Sequence, residues 1–323
     1  MLNSKTSLEI IFALIILFSI VPQININLGN QKNISAEVYF CPEDNCTSVF
    51  VSYLMSASEI KCAFYDLNDP EIIYALKKKD ANVIFDNNIK LYLNKSSFQR
   101  LNDSHTMHNK FCILNRKTVL TGSLNPTENG LNKNNNNLII INSTEIAHNY
   151  LSNYYAICKG SQEQYKKSKL KINHQIKNIN YTIKNYFCPI DNCKKQIESE
   201  ISKAKKSIYF LTFSFTDKDI ATILLDQKIL GRDIKGVIEK RESTLSIYPN
   251  FKNYYEICLD TNPHTMHHKV FIIDNETVIT GSYNPTQNAA HYNYENIIII
   301  KNKKIVSLYL KEFEKIMNSS NCT

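Results

Sequence analysis

Apolar positions along this chain fall into short continuous runs separated by amphipathic stretches, and the same succession appears twice. Runs of a few apolar residues between turn signals mark strands, while apolar residues three and four apart behind an acidic cap mark helices. In the first half this predicts a strand at 36–41, a helix at 46–58, a β-rich run EIKCAFYDL (59–67) and a helix at 69–79 opening on Asp69. A buried strand ANVIFD (81–86), the pair FCIL and TVLTG joined by a turn, a strand at 138–142 and a closing helix at 144–157 complete it. The second half repeats the pattern with a strand at 184–188, a helix at 193–205, KSIYFLTFSF (206–215), a helix at 217–230 opening on Asp217, and IKGVIE (234–239). VFII, TVITG, a strand at 296–300 and a helix at 302–317 follow. Strands alternating with helices predict an α/β fold with a largely buried mixed sheet in each half.

The match extends to the residues themselves. VYFCPEDNC (38–46) returns as NYFCPIDNC (185–193), HTMHNKFCILN (105–115) as HTMHHKVFIID (264–274), and TVLTGSLNPTENG (118–130) as TVITGSYNPTQNA (277–289). The blocks keep their order, which marks an internal repeat. Two halves built alike pack about a pseudo-twofold axis, so equivalent residues near the axis meet.

Each half carries His-x-Lys, a turn residue, then Gly-Ser-x-Asn: His108, Lys110, Asn115, Ser123 and Asn125 in the first, His267, Lys269, Asp274, Ser282 and Asn284 in the second. His and Lys two apart on a strand share a face. The Gly-Ser-x-Asn turn brings a hydroxyl and an amide to the same end of the sheet. This duplicated pattern resembles the phospholipase D superfamily, over residues 36–160 and 183–323, and most closely its small endonuclease and cardiolipin-hydrolase branch. The resemblance implies two tandem phospholipase-D-like repeats, each a mixed sheet flanked by helices, about a pseudo-twofold axis. It also implies phosphodiester cleavage through a phosphohistidine, with no metal and no cofactor.

The side chains suit that chemistry independently. One imidazole can attack phosphorus while the other protonates the leaving oxygen and then deprotonates water. Two lysines place positive charge where the transition state gathers negative charge, and they hold the histidine pKa down. Ser123, Ser282, Asn125 and Asn284 can orient phosphate oxygens. The halves differ in two supporting places: Asn115 and Asn136 in the first stand where the second has Asp274 and Glu295. A carboxylate on an imidazole Nδ1–H raises basicity at Nε2. Glu295 is therefore expected to support His267, making His267 the nucleophile and His108 the acid/base, with Asn136 accepting from His108. His105 and His264 are expected to shape the entrance.

Composition adds less. The net charge of +8 suits an anionic partner, nucleic acid or an acidic membrane, although much of it lies in KKSKLKINHQIK (166–177). The stretch 161–182 reads as a basic linker. LEIIFALIILFSIV (8–21), after Lys5 and before Pro22, makes residues 1–30 a signal peptide or a short membrane anchor. The expected location is membrane-anchored or secreted, with the body extracytoplasmic. In that setting Cys41/Cys46 and Cys188/Cys193 can form two local disulfides; a four-cysteine zinc site and inert thiols are the alternatives. Cys62 and Cys112 are expected to be buried in apolar strands. The substrate expected first is phospholipid, the alternative a nucleic acid, and the third reading a non-catalytic phosphate- or lipid-binding protein. The chain is expected to be a monomer with an internal pseudo-dimer.

Overall fold

The computed structural model of the protein describes residues 33–87, 89, 97–101, 103, 105–159, 162–167 and 172–322. The apolar segment 8–21 lies outside them. Among the described residues no helix is long and apolar enough to cross a membrane.

The first half runs β1 (Ser35–Cys41), α1 (Cys46–Ser56), β2 (Ile60–Phe64), α2 (Pro70–Lys78), β3 (Asn82–Phe85), β4 (Phe98–Arg100), β5 (Lys110–Leu114), β6 (Thr118–Gly122), α3 (Glu128–Asn132), β7 (Asn136–Asn142) and α4 (Thr144–Cys158). The link adds α5 (Gln162–Lys167) and β8 (Gln175–Lys177). The second half runs β9 (Thr182–Cys188), α6 (Cys193–Ile201), β10 (Ser207–Thr212), α7 (Lys218–Ile229), β11 (Asp233–Ile238), α8 (Tyr248–Phe251), β12 (Glu256–Leu259), β13 (Lys269–Ile273), β14 (Thr277–Gly281), α9 (Gln287–His291), β15 (Glu295–Lys301), α10 (Lys303–Ser319) and β16 (Asn321–Cys322).

The first sheet has the order β1-β7-β6-β5-β2-β3-β4, and the second reproduces it as β9-β15-β14-β13-β10-β11-β12, with β8 and β16 added at its edges. In both, the two strands beyond β2 or β10 are parallel and the rest antiparallel. The helices begin where acidic caps were expected: Asp69 Oδ1 accepts from the Ile72 N–H, and Asp217 Oδ1 from those of Asp219 and Ile220. Pro70 occupies the first turn, where no N–H is required.

One shared core joins the halves. It contains Phe111, Ile139 and Tyr150 from the first and Val270, Ile298 and Tyr309 from the second. Each closing helix sends a tyrosine across: Tyr150 packs edge-on against Phe187, and Tyr309 against Phe40. Separate clusters fill the outer side of each sheet. The described parts of the basic stretch, 162–167 and 172–182, are built into this body, because Tyr165 is fully buried with its hydroxyl 2.6 Å from Asn153 Oδ1, and β8 pairs with β9.

Cys41–Cys46 and Cys188–Cys193 are bonded locally, so these four thiols do not form a shared metal site. Cys62 and Cys112 are buried, and they are also bonded to each other across β2 and β5. A fourth disulfide, Cys258–Cys322, ties the C-terminal strand to β12. Neither of these cross-strand pairs is legible in the sequence. Partners that meet in space through strand register carry no local spacing signal.

Candidate active site

His108 and His267 each precede a strand, β5 or β13, and the opposite half holds each in place. The His108 N–H donates to the Tyr294 carbonyl, and the His267 N–H donates to that of Asn135. Asn135 and Tyr294 directly precede Asn136 and Glu295, the first residues of β7 and β15. The crossing therefore places each of those side chains on the other half's histidine. Glu295 Oε1 lies 2.8 Å from His108 Nδ1. Asn136 Oδ1 lies 2.9 Å from His267 Nδ1. This overturns the expectation that Glu295 would support His267 and Asn136 His108. The error lay in assuming that each half supplies its own second residue.

The lysines are placed alike. Lys110 Nζ donates to the His108 carbonyl at 2.7 Å and lies over the Tyr65 ring, while Lys269 Nζ donates to the His267 carbonyl at 2.8 Å and lies over Phe213. The same two rings pack against His108 and His267. Burial, followed by the nearby lysine charges, holds both imidazoles well below the usual histidine range. His108 feels Lys269, and His267 feels both Lys110 and His108, so the two half-sites lie beside one another. Desolvation brings Lys110 down to about 7 and pushes Glu295 up to about 8.

Ser123 and Ser282 do not stand free for substrate. Ser123 Oγ donates to Asn136 Oδ1 and accepts from the Asn137 N–H; Ser282 Oγ accepts from the Asn296 N–H. They brace the residues that brace the histidines. Asn125 and Asn284 each keep a buried Oδ1 without a hydrogen-bond partner among the described residues, on the turns that follow. The glycine before each serine is required by backbone geometry: Gly122 has φ +136° and Gly281 φ +143°, and a Cβ on either would meet a carbonyl oxygen of β7 or β15 at 2.3 Å.

Asn115 and Asp274 are structural. Both sit at positive φ in the turn, where Asn115 Oδ1 accepts from the N–H groups of Ser58 and Glu59, and Asp274 from those of Lys205, Lys206 and Ser207. His105 pairs with Asp103 at 2.6 Å, and His264 is exposed; neither takes a place between the motif residues.

Two buried carboxylates were missed. Asp86 accepts from the Met107 N–H at 2.8 Å and Glu239 from the Met266 N–H at 2.7 Å, fixing the residue before each histidine. Their signal was present in the sequence, as both strands VIFD and GVIE end on an acid at matching places.

The family described as "Cardiolipin synthase, PLD-like domain" matches residues 30–157 and again 197–317, one copy on each half. The chain belongs to the phospholipase D superfamily. It is accordingly a phosphodiesterase-type hydrolase. A phospholipase D of Rickettsia prowazekii is 32% identical over 138 residues, covering 42% of this chain and 67% of that protein. Human mitochondrial cardiolipin hydrolase is 44% identical over 64 residues, 20% of this chain and 25% of that protein. The chain thus spans about two thirds or less of the length of these curated relatives. The solved phosphatidylserine synthase of Haemophilus influenzae has the same fold, with a TM-score of 0.69 at 13% identity over 92% of this chain and 90% of that one.

Proposed function

We propose that this superfamily member hydrolyses a phospholipid phosphodiester without metal, through a phosphohistidine on His108. The observation that carries the role assignment is the Glu295 carboxyl against His108 Nδ1. Once ionised, above about pH 8, that carboxylate makes Nε2 the more nucleophilic of the two. His267, held by a neutral amide, gives the more acidic imidazolium and is the better proton donor to a leaving group.

His108 Nε2 attacks phosphorus, the bond from phosphorus to the leaving oxygen breaks, and His267 Nε2–H protonates that oxygen. Water then attacks the phosphohistidine, gives its proton to His267, and releases His108. Both imidazoles are depressed by burial and by the lysines. A phosphodiester anion seated between Lys110 and Lys269 offsets that charge, so His267 can acquire the proton it must donate. The same anion raises the two lysines, which burial holds down, so that they bring positive charge to the equatorial oxygens.

Similarity to a phospholipase D and the apolar segment at 8–21 support lipid as the substrate class, with the body on the far side of a membrane. Purified protein is offered labelled phosphatidyl lipid and single-stranded DNA in parallel, with EDTA present. Lipid turnover supports the proposal. Turnover of DNA alone replaces it with a nuclease, and turnover of neither favours a binding protein. A phospho-adduct mapped to His267 reverses the assignment of roles.

A further inference from the structure

The two histidines differ not only in Asn136 and Glu295 but also in what lies behind them. Asn136 Oδ1 accepts from both His267 Nδ1 and Ser123 Oγ, because its Nδ2 is turned to the Gly130 carbonyl. Ser123 Oγ can give its single proton to Asn136 because it receives from the N–H and Nδ2 of Asn137, at 3.0 and 3.3 Å. The Asn137 amide is held one way round, with Oδ1 accepting from Thr280 and Tyr309 and Nδ2 also 3.2 Å from His268 Nδ1. His268 accepts there only with its proton on Nε2, which faces Glu312 Oε1 at 3.2 Å. Glu312 in turn is paired with Lys315, and Lys315 with Glu43. His268 and Glu312 are both buried.

Among the described residues the first half has no such pair. Asn109 takes the place of His268, and its Oδ1 accepts from Asn296 Nδ2 at 2.9 Å. Asn153 stands at the place of Glu312 and accepts from Tyr165. The carboxylate that sits directly on His108 in one half-site is thus displaced, in the other, to the far end of a hydrogen-bonded chain.

We infer that His268 and Glu312 are positioning residues that fix the tautomer of His267 through Asn137, Ser123 and Asn136. The fixed tautomer leaves Nε2 bare for the proton it carries in turnover. This inference rests on the acid/base role proposed for His267, but its main readout does not require activity.

In ¹⁵N-histidine-labelled protein, His267 shows an Nδ1–H tautomer. In His268→Leu that preference collapses to a mixture. Turnover falls by about tenfold or more with KM within about twofold, as expected when an outer partner of a reactive imidazole is lost. His268→Asn, which copies the arrangement at Asn109, keeps the tautomer and most of the activity. An unchanged tautomer in His268→Leu, or equal damage in His268→Asn, overturns the inference. If His268→Leu does not fold, Glu312→Gln carries the test: a mixed His267 tautomer supports the chain, and an unchanged one refutes it. Wild-type protein inactive on every phosphodiester, yet showing the tautomer shift, would sink the proposed function and leave this inference standing.

Discussion

Glu295→Gln is the substitution on which the assignment of roles turns. The side chain is fully buried, its Oε1 is 2.8 Å from His108 Nδ1, and glutamine preserves its volume while removing the charge. Above about pH 8, where Glu295 is ionised, its contact with the positive charge that develops on His108 during attack is worth about 1.5–3 kcal/mol. At about 1.4 kcal/mol per factor of ten, the step that forms the phosphohistidine should slow roughly 10- to 150-fold. Asn136→Ala removes a neutral bond of about 0.5–1.5 kcal/mol from His267 and should cost roughly 2- to 12-fold, chiefly where leaving-group protonation matters. The assay is a rapid-quench burst of nitrophenol from bis(p-nitrophenyl) phosphate, whose leaving group departs with little acid assistance. The burst should slow in Glu295→Gln and remain near wild type in Asn136→Ala. A burst within threefold of wild type in Glu295→Gln, or a larger loss in Asn136→Ala, refutes the reasoning.

Other consequences follow from the same geometry. Glu295 is held up to about 8 by burial. Between its unfolded value of about 4.3 and that pKa, the folded chain keeps a proton that the unfolded chain has released. Stability from this group therefore declines as pH rises through the window. Calorimetry should show the melting-temperature advantage of Glu295→Gln over wild type widening from pH 5 to pH 8; a constant gap contradicts the buried-carboxyl account. Gly281→Ala forces a Cβ against the Asn296 carbonyl at strongly positive φ; a urea midpoint reporting a loss under about 2 kcal/mol would be inconsistent with that contact. Replacing Cys62 and Cys112 together by alanine should cost about 2–4 kcal/mol relative to the oxidised protein, and no change in the midpoint would argue against the bond. If the lysines do the work of a cation, as proposed, activity should survive EDTA unchanged; abolition would point to a bound metal.

The repeat, the strands around the motif and all four His and Lys positions were legible because they are local: a two-residue spacing on a strand and a hydroxyl after a glycine. Beyond the hairpin of β5 and β6 the strand order was not legible, because β1 pairs with β7 and β2 with β5, far apart in the chain. Nor were the partners across the axis. Glu295 meets His108 because the segment entering β15 hydrogen-bonds the backbone of the other half, an interaction that depends on docking and leaves no periodicity behind. The same holds for His268, which reads as an arbitrary residue between His267 and Lys269 until Asn137 and Glu312 are seen to converge on it. Short edge strands such as Phe98–Arg100 and Asn321–Cys322 escaped notice because so few residues give no pattern to detect.

The backbone bridges from Tyr294 to His108 and from Asn135 to His267 mean that a codon change in one repeat retunes the imidazole of its sibling. In an assembly of two identical subunits every such change would strike both imidazoles together, and they would stay equivalent. Carried on one polypeptide, the copies can drift apart, which allows one imidazole to specialise in attack and the other in proton delivery.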